Sequence, residues 1–259
     1  MVQKLIDDFK RSNKERKLKI AVKNGFDTSE KYLNHLQELL KLELSNLRQE
    51  PVKKSTIHNV FIMDASGSMY GDKYDNGIKG IMELIESIKN DKLTDNTVTF
   101  IEFAHNEYYT KTHFFLDKDC SYAFLPRGAN GWTPLYRVLG ATIEKLLKAP
   151  EINKDDKVLL NIVTDGDDTN GFGNYADLPL TLRKVQEENN FTITFVGTKS
   201  DVNRSIKKLN LDESNTLVHN NTGSGIKEAF NQTISSRTMY SSNVSKGIDV
   251  SVGFYKKIN

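Results

Sequence analysis

From Ile57 to about Tyr240, short β-branched runs alternate with helical patterns, and this alternation constrains the fold more than any other feature of the sequence. Two of the runs, VFIM at 60–63 and VLLNIV at 158–163, are almost wholly apolar, as is typical of strands buried on both faces. The alternation extends over about 180 residues and predicts an α/β fold with a doubly wound, mostly parallel six-stranded sheet flanked by helices. A ligand site in such a fold lies at the carboxyl ends of the strands.

The predicted elements divide the chain into three parts. The predicted strands are Ile57–Met63, Thr97–Ala104, His113–Leu116, Val158–Thr164, Thr192–Val196 and Thr216–Val218. The predicted helices between them are Tyr74–Lys89, Leu135–Leu147, Tyr175–Glu188, Val202–Lys207 and Gly225–Ile234. We therefore expect an N-terminal helical extension at residues 1–54, the α/β domain at 55–240 and a C-terminal extension at 241–259.

The N-terminal extension has no apolar strand and is basic, with seven Lys or Arg against one acid between Lys10 and Lys23. An early helix is predicted over roughly Gln3–Val22, with an apolar face that consists of Leu5, Ile6, Phe9 and Leu18. A second, amphipathic helix is predicted after it, with Thr28 or Ser29 as its N-cap. Its leucines recur at three- and four-residue steps, at Leu33, Leu36, Leu40, Leu44 and Leu47.

Composition and charge exclude several classes of protein. A net charge of +2 excludes a protein that coats polyanions, and the basic run lacks interleaved aromatic residues, so nucleic-acid binding is not expected. The single cysteine, Cys120, excludes an internal disulfide framework. No apolar run approaches about 18 residues and no secretory signal is visible, so we expect a cytoplasmic protein without membrane contact.

Apolar residues alternate over Ile248–Tyr255, which predicts an edge strand or a segment that docks on a partner.

Two of the buried strands end in an aspartate that is followed by a turn of small residues. The first gives Asp64-Ala-Ser66-Gly-Ser68 and the second gives Asp165-Gly166. A carboxylate at the end of an apolar strand is costly to bury unless a positive charge or hydrogen bonds offset the cost. A divalent cation shared by the two aspartates would do so, and the serine hydroxyls add oxygens of the kind that hard cations prefer.

Thr133 is a third candidate ligand. Pro134 is suited to the first position of a helix, which places Thr133 at the N-cap with its hydroxyl directed to the site.

Asp64, Ser66 and Ser68 in a D-x-S-x-S run, followed by Thr133 and Asp165 at increasing distance, resemble the metal-ion-dependent adhesion site of von Willebrand factor type A domains. The first motif reads DASGSM, which resembles intracellular bacterial or phage members of that family, such as those associated with tellurite resistance. The resemblance covers roughly residues 55–240 and implies the same fold.

The resemblance also implies a role for each motif residue. Ser66 and Ser68 would bind the cation directly, whereas Asp64, Asp165 and Thr133 would bind it directly or through water. The ion would be Mg²⁺ or Mn²⁺, with Ca²⁺ less suitable, and an Asp or Glu of a partner protein would complete its coordination. Residues next to the motif are candidates for partner contact: Tyr70, Asn130, Trp132, Asp167 and Asp168. For Trp132, inward packing is an equal alternative. For Asp167 and Asp168, a solvated surface loop is the favoured interpretation.

The sequence motifs give little support to an enzymatic function. No phosphate-binding loop, serine-hydrolase elbow or zinc-protease motif occurs, and Ser66 stands where a D-x-D phosphatase needs a second acid. We therefore predict a non-enzymatic, metal-dependent protein-interaction module. One alternative is an assembly protein whose N-terminal helices make the contacts while the α/β domain serves as scaffold. A weaker alternative is a metal-dependent hydrolase with Asp167 or Asp168 as general base.

Overall fold

The computed structural model describes residues 2–48, 54–106, 109–110, 128–188 and 190–256. The chain forms two compact units, residues 1–53 and residues 54–259. The predicted strand His113–Leu116 and Cys120 lie outside the described residues. No helix in the described ranges is both long enough and apolar enough to cross a bilayer.

The N-terminal unit contains three helices: α1 (Val2–Arg11), α2 (Lys14–Lys23) and α3 (Ser29–Arg48). The single helix predicted over Gln3–Val22 is therefore wrong. Asn13 interrupts it, because its side chain accepts a hydrogen bond from the backbone N–H of Arg16 at 2.9 Å and so caps a new helix. The break turns Leu5 and Leu18 outward, and about half of each side chain is exposed.

A small apolar cluster holds this unit together. Its buried members are Ile6, Phe9, Ala21, Tyr32 and Leu36, and the rings of Phe9 and Tyr32 meet edge to face. Thr28 provides the predicted start of α3, since its hydroxyl accepts a hydrogen bond from the backbone N–H of Lys31 at 3.2 Å.

The second unit is built on a parallel sheet of five strands: β1 (Thr56–Asp64), β2 (Asp95–Phe103), β5 (Lys157–Val163), β6 (Phe191–Gly197) and β7 (Thr216–Val218). Their order is β2-β1-β5-β6-β7. The described chain thus confirms the predicted doubly wound parallel sheet, with five strands rather than six. A separate two-stranded antiparallel pair, β3 (His105–Asn106) and β4 (Tyr109–Thr110), follows β2.

Helices cover both faces of the sheet. On one face, α5 (Leu135–Lys148), α6 (Leu178–Glu188) and α7 (Lys199–Leu209) pack on side chains such as Val60, Ile62 and Leu160. On the other face, α4 (Asp72–Lys89) and α8 (Gly223–Ser245) pack on Phe61, Met63 and Phe100. Alternate residues of β1 therefore point to opposite layers, which is why this strand reads as a continuous apolar run.

The C-terminal stretch differs from its prediction. α8 runs past position 241 to Ser245, and no strand forms in residues 246–256. Val250 and Phe254 are buried instead against Ile57, Leu159 and Tyr240. The alternating apolar residues thus cover the end of the domain's own core, and the chain enters a series of bends rather than extending the sheet.

Candidate metal centre

Asp64 is the last residue of β1 and is fully buried at the carboxyl edge of the sheet. Its Oδ1 accepts a hydrogen bond from the backbone N–H of Ser66 at 2.7 Å, and its Oδ2 accepts one from the Thr164 hydroxyl at 2.5 Å. β1 has β2 on one side and β5 on the other, so Asp64 lies where the connections reverse direction. This is the position at which doubly wound sheets hold their ligands.

The environment of Asp64 disfavours its negative charge. Burial raises the pKa of this carboxyl from its ordinary 3.8 to about 6, against the hydrogen bonds from Thr164 and Ser66, and the nearby negative charge of Asp165 raises it further. A cation bound beside Asp64 would remove this penalty, because it stabilises the ionised form.

The serines of the motif connect Asp64 to Asp165. Ser66 Oγ and Ser68 Oγ lie 3.0 Å apart, and the Ser68 hydroxyl donates a hydrogen bond to Asp165 Oδ1 at 2.7 Å. Ser66 is buried and Ser68 is exposed, so the oxygens lead from the interior to the surface. The other carboxylate oxygen of Asp165 forms an ion pair with the ammonium group of Lys73.

Thr133 reaches the same place from the segment before α5. Its hydroxyl and that of Ser68 flank Gly166, where a methyl group would lie 3.6 Å from Thr133 Oγ1 and 3.5 Å from Ser68 Oγ. Backbone hydrogen bonds hold the segment against the first motif: Asn130 N–H donates to the Ala65 carbonyl at 2.7 Å, and Gly67 N–H donates to the Gly131 carbonyl at 2.9 Å.

The helix that follows Thr133 begins at its predicted residue, but its N-cap is not the predicted one. α5 starts at Leu135 with Pro134 in the N-cap position, so Thr133 is not the cap. Asp168, in the loop after β5, caps the helix instead, since its Oδ1 accepts a hydrogen bond from the backbone N–H of Tyr136 at 2.9 Å. The backbone of Thr133 is held by Thr169, whose hydroxyl accepts a hydrogen bond from Thr133 N–H at 3.1 Å.

The two acids predicted beside the site are engaged by the protein itself. Besides capping α5, Asp168 accepts hydrogen bonds from the backbone N–H groups of Asn170 and Gly171, and burial raises its pKa. Asp167 forms an ion pair with Arg204 of α7. Both carboxylates therefore shape the loop after β5.

Three other predicted partner contacts lie on the surface around the site. Asn130 is exposed, Tyr70 is 79% exposed and Trp132 is 61% exposed, so the inward-packed alternative for Trp132 is wrong. The aromatic pair comes from two different loops, one after the D-x-S-x-S run and one before α5. Aromatic residues of this kind are frequent anchors in protein interfaces.

Three further contributors are not predicted by any sequence pattern: Thr164, Lys73 and Asn221. Thr164 directly precedes Asp165, and only the pairing of β1 with β5 brings its hydroxyl to Asp64. Asn221 lies in the loop before α8, where its Oδ1 accepts a hydrogen bond from Lys73 Nζ at 3.1 Å. These contacts span about a hundred residues or more, beyond any local pattern.

The donor set fits a hard divalent cation. Two carboxylates and three hydroxyls from Asp64, Ser66, Ser68, Thr133 and Asp165 converge on one edge of the sheet. Oxygen ligands of this kind suit Mg²⁺ or Mn²⁺, which keep several waters beside a few protein oxygens. Within the described part of the chain, no three His, Cys, Asp or Glu side chains cluster as metal ligands, so a cation here would depend on the hydroxyls.

Three solved structures with the same fold are 11–14% identical in sequence to this chain. The SpRpn10 VWA domain gives a TM-score of 0.50 at 14% identity, over 69% of this chain and 95% of that one. The von Willebrand domain of the pilus tip protein Mfa5 from Porphyromonas gingivalis gives a TM-score of 0.52 at 11% identity, over 72% of this chain and 96% of that one. Proximal thread matrix protein 1 from the mussel byssus has zinc in its metal-ion-dependent adhesion site (MIDAS) motif. It gives a TM-score of 0.51 at 13% identity, over 80% of this chain and 52% of that one. These likenesses establish the fold.

Sequence comparison adds a relative and a family. The chain is 26% identical over a 205-residue alignment to mouse inter-alpha-trypsin inhibitor heavy chain H2, and the match covers 71% of this chain but only 20% of that protein. The model of the von Willebrand factor type A domain matches residues 60–232, and the chain therefore belongs to that family.

Proposed function

We propose that this protein binds another protein through a divalent cation held by Asp64, Ser66, Ser68, Thr133 and Asp165. The observation that carries the proposal is the convergence of these oxygens from three separate segments at the switch point of the sheet. Membership of a family that commonly serves in protein interaction supports it. The cytoplasmic setting expected above stays a proposal, and the resemblance of the DASGSM run to intracellular bacterial and phage members supports it.

The ion that suits this site best is Mg²⁺ or Mn²⁺. The ligands are hydroxyl and carboxylate oxygens without histidine or thiolate, which favours hard cations. Two carboxylates are few for Ca²⁺, which takes six to eight oxygens in proteins. The zinc-occupied MIDAS motif of the mussel protein supports divalent binding by this type of site.

The protein's own residues divide the work of the interaction. Asp64, buried and anchored by Ser66 and Thr164, supplies the charge that holds the cation at the base of the site. Ser68 is exposed and marks the side from which a partner approaches. The bound cation would supply a Lewis-acidic position for an Asp or Glu carboxylate of the partner. Tyr70 and Trp132 would then pack around that contact.

Isothermal titration of the metal-free protein with MgCl₂ and MnCl₂ tests the proposal, with Asp64→Ala as the variant. We expect one-site binding by the wild type and none by the variant, because the variant lacks the most deeply buried ligand. A pull-down with wild-type and variant protein, with and without EDTA, then tests the partner. Partner retention that is equal in Asp64→Ala or in EDTA would contradict the mechanism.

A second candidate function rests on the N-terminal unit. Leu18 and Val22 of α2 are 48% and 60% exposed and lie one helical turn apart beside several lysines. This surface supports the alternative of an assembly protein whose helices make the contacts. Removal of residues 1–50 discriminates: it abolishes assembly under this alternative and spares cation-dependent binding under the first proposal.

We propose no catalytic activity for the site. A hydrolytic reaction would need a general base next to the cation, and Asp167 and Asp168 were the candidates. The ion pair of Asp167 with Arg204 and the backbone contacts of Asp168 support a non-enzymatic role.

A further inference from the structure

Lys73 brings a positive charge of the protein's own into the candidate metal centre. It lies in the first turn of α4, and its ammonium group contacts Asp165 Oδ2 and, at 3.1 Å, Asn221 Oδ1. Three segments of the domain therefore meet at this one group: the start of α4, the end of β5 and the loop before α8.

The pair differs from the other Lys and Arg ion pairs near the surface. The Asp165 side chain is completely buried and that of Lys73 is 19% exposed, whereas Lys19 and Glu15, for example, are 76% and 78% exposed. A pair removed from water is screened much less by solvent and salt than an exposed one. Lys73 is thus a persistent part of the site's electrostatics.

The formal charges of the two ligand carboxylates, the cation and Lys73 can be summed. Asp64 and Asp165 carry one negative charge each, which together match a divalent cation. Lys73 adds one positive charge in contact with one of these same carboxylates. With the cation bound, the centre is left with a net positive charge, which favours an anionic ligand at the surface.

We propose that Lys73 is a built-in counter-ion that competes with the divalent cation for Asp165 and so sets the cation affinity of the site. In the metal-free protein it neutralises Asp165. In the loaded protein it repels the cation and leaves the excess positive charge that a partner's carboxylate offsets. Tight cation binding then depends on the partner. This inference rests on the proposed function, since it concerns the same cation.

The test is isothermal titration of MnCl₂ into metal-free wild type, Lys73→Met, Lys73→Arg and Lys79→Met. Lys79 is an exposed lysine on the same helix and serves as the matched control. We expect Lys73→Met to bind Mn²⁺ about tenfold more tightly than wild type, because one positive charge within a few ångströms is removed. Lys73→Arg keeps the charge, and Lys79 is not in the site, so both should stay within about threefold of wild type. If Lys73→Met does not fold, Lys73→Gln replaces it.

The outcomes separate this inference from the proposed function. Wild type that binds Mn²⁺, with Lys73→Met equal or weaker, overturns the role of Lys73 and leaves the proposed function standing. Binding by Lys73→Met alone supports the competition and overturns cation binding by the free wild type. Tighter binding by Lys73→Arg as well would show that charge is not the cause and would overturn the inference. No binding by any variant overturns both.

Discussion

The two edges of the central sheet handle buried aspartates in opposite ways. At the carboxyl edge, the hydrogen bonds that Asp64 receives from described residues come from neutral groups, and burial raises its pKa to about 6. At the amino edge, the side chain of Asp91 is also almost buried, but Arg237 of α8 donates a hydrogen bond to its Oδ2 at 2.7 Å. Burial would raise the pKa of Asp91 too, yet Arg237, Ser241 and Thr94 outweigh it, and the pKa falls well below its usual range.

The amino edge is a closed network. Arg237 is 2% exposed and its guanidinium also reaches the side chains of Asn59 and Asn96, so it ties α8 to β1 and β2. Nearby, His58 contacts Asp156 Oδ2 at 3.1 Å and Thr97 Oγ1 at 2.7 Å. Every charge in these groups has a protein partner.

The difference indicates which edge is built for a ligand. A fold can satisfy a buried carboxylate with its own cation, and at the amino edge it does. At the carboxyl edge, no cationic group among the described residues pairs with Asp64, and Lys73 pairs with Asp165 instead. Perturbed carboxyls of this kind concentrate at functional sites.

The largest expected effect is at the amino edge. Arg237→Met keeps much of the side-chain volume but leaves Asp91 buried without its cation. We expect a loss of about 3–5 kcal/mol in the free energy of unfolding, as measured in urea. Arg183→Met is the control, because the Arg183–Glu187 pair on α6 is exposed, and it should change stability by less than about 1 kcal/mol. A similar small change in Arg237→Met would contradict the assigned network.

At the carboxyl edge we expect the loss of a charged side chain to raise the free energy of unfolding rather than lower it. Because the folded-state pKa of Asp64 lies above its ordinary value, ionisation of Asp64 destabilises the metal-free fold above about pH 6, and this cost disappears as the pH falls toward 3.8. Asp64→Asn removes the charge, so in EDTA at pH 7.5 it should stabilise the protein by up to about 3 kcal/mol. The gain should vanish near pH 4.

Asp91→Asn provides the comparison for this experiment. The lowered pKa of Asp91 means that its contribution is present above its ordinary value of 3.8 and is lost as the pH falls below it. Asp91→Asn should therefore destabilise the protein at pH 7.5, where Asp64→Asn stabilises it. Unfolding curves from pH 4 to pH 8 measure both, and two variants with the same sign would break the proposed contrast between the edges.

The smallest effect on stability is expected on the surface of the carboxyl edge. Tyr70 is 79% exposed, so Tyr70→Ala should change the free energy of unfolding by no more than about 0.5 kcal/mol. The same variant should weaken cation-dependent partner capture, because it removes an aromatic contact beside the ion. Normal capture by Tyr70→Ala would restrict the interface to the Trp132 side of the site.

Much of the α/β fold could be predicted from the sequence, because its strands are buried on both faces and its helices keep one apolar face. β7 matches its predicted bounds, and β1, β2, β5 and β6 differ from theirs by one or two residues. The Gln3–Val22 helix failed because a cap by Asn13 outweighed the apolar periodicity. The C-terminal stretch failed as a strand because Val250 and Phe254 bury against the core without forming a ladder.

Local sequence thus determined the doubly wound sheet and the identity of the candidate ligands, since the apolar patterns and the D-x-S-x-S spacing each lie within a short segment of the chain. The tertiary structure alone decided what surrounds each charge. Asp168 became a helix cap, Asp167 paired with Arg204, and Lys73 entered the candidate metal centre, all across long stretches of chain. The physical reason is that the free energy of a buried charge depends on groups within a few ångströms of it, and in this fold those groups come from distant segments.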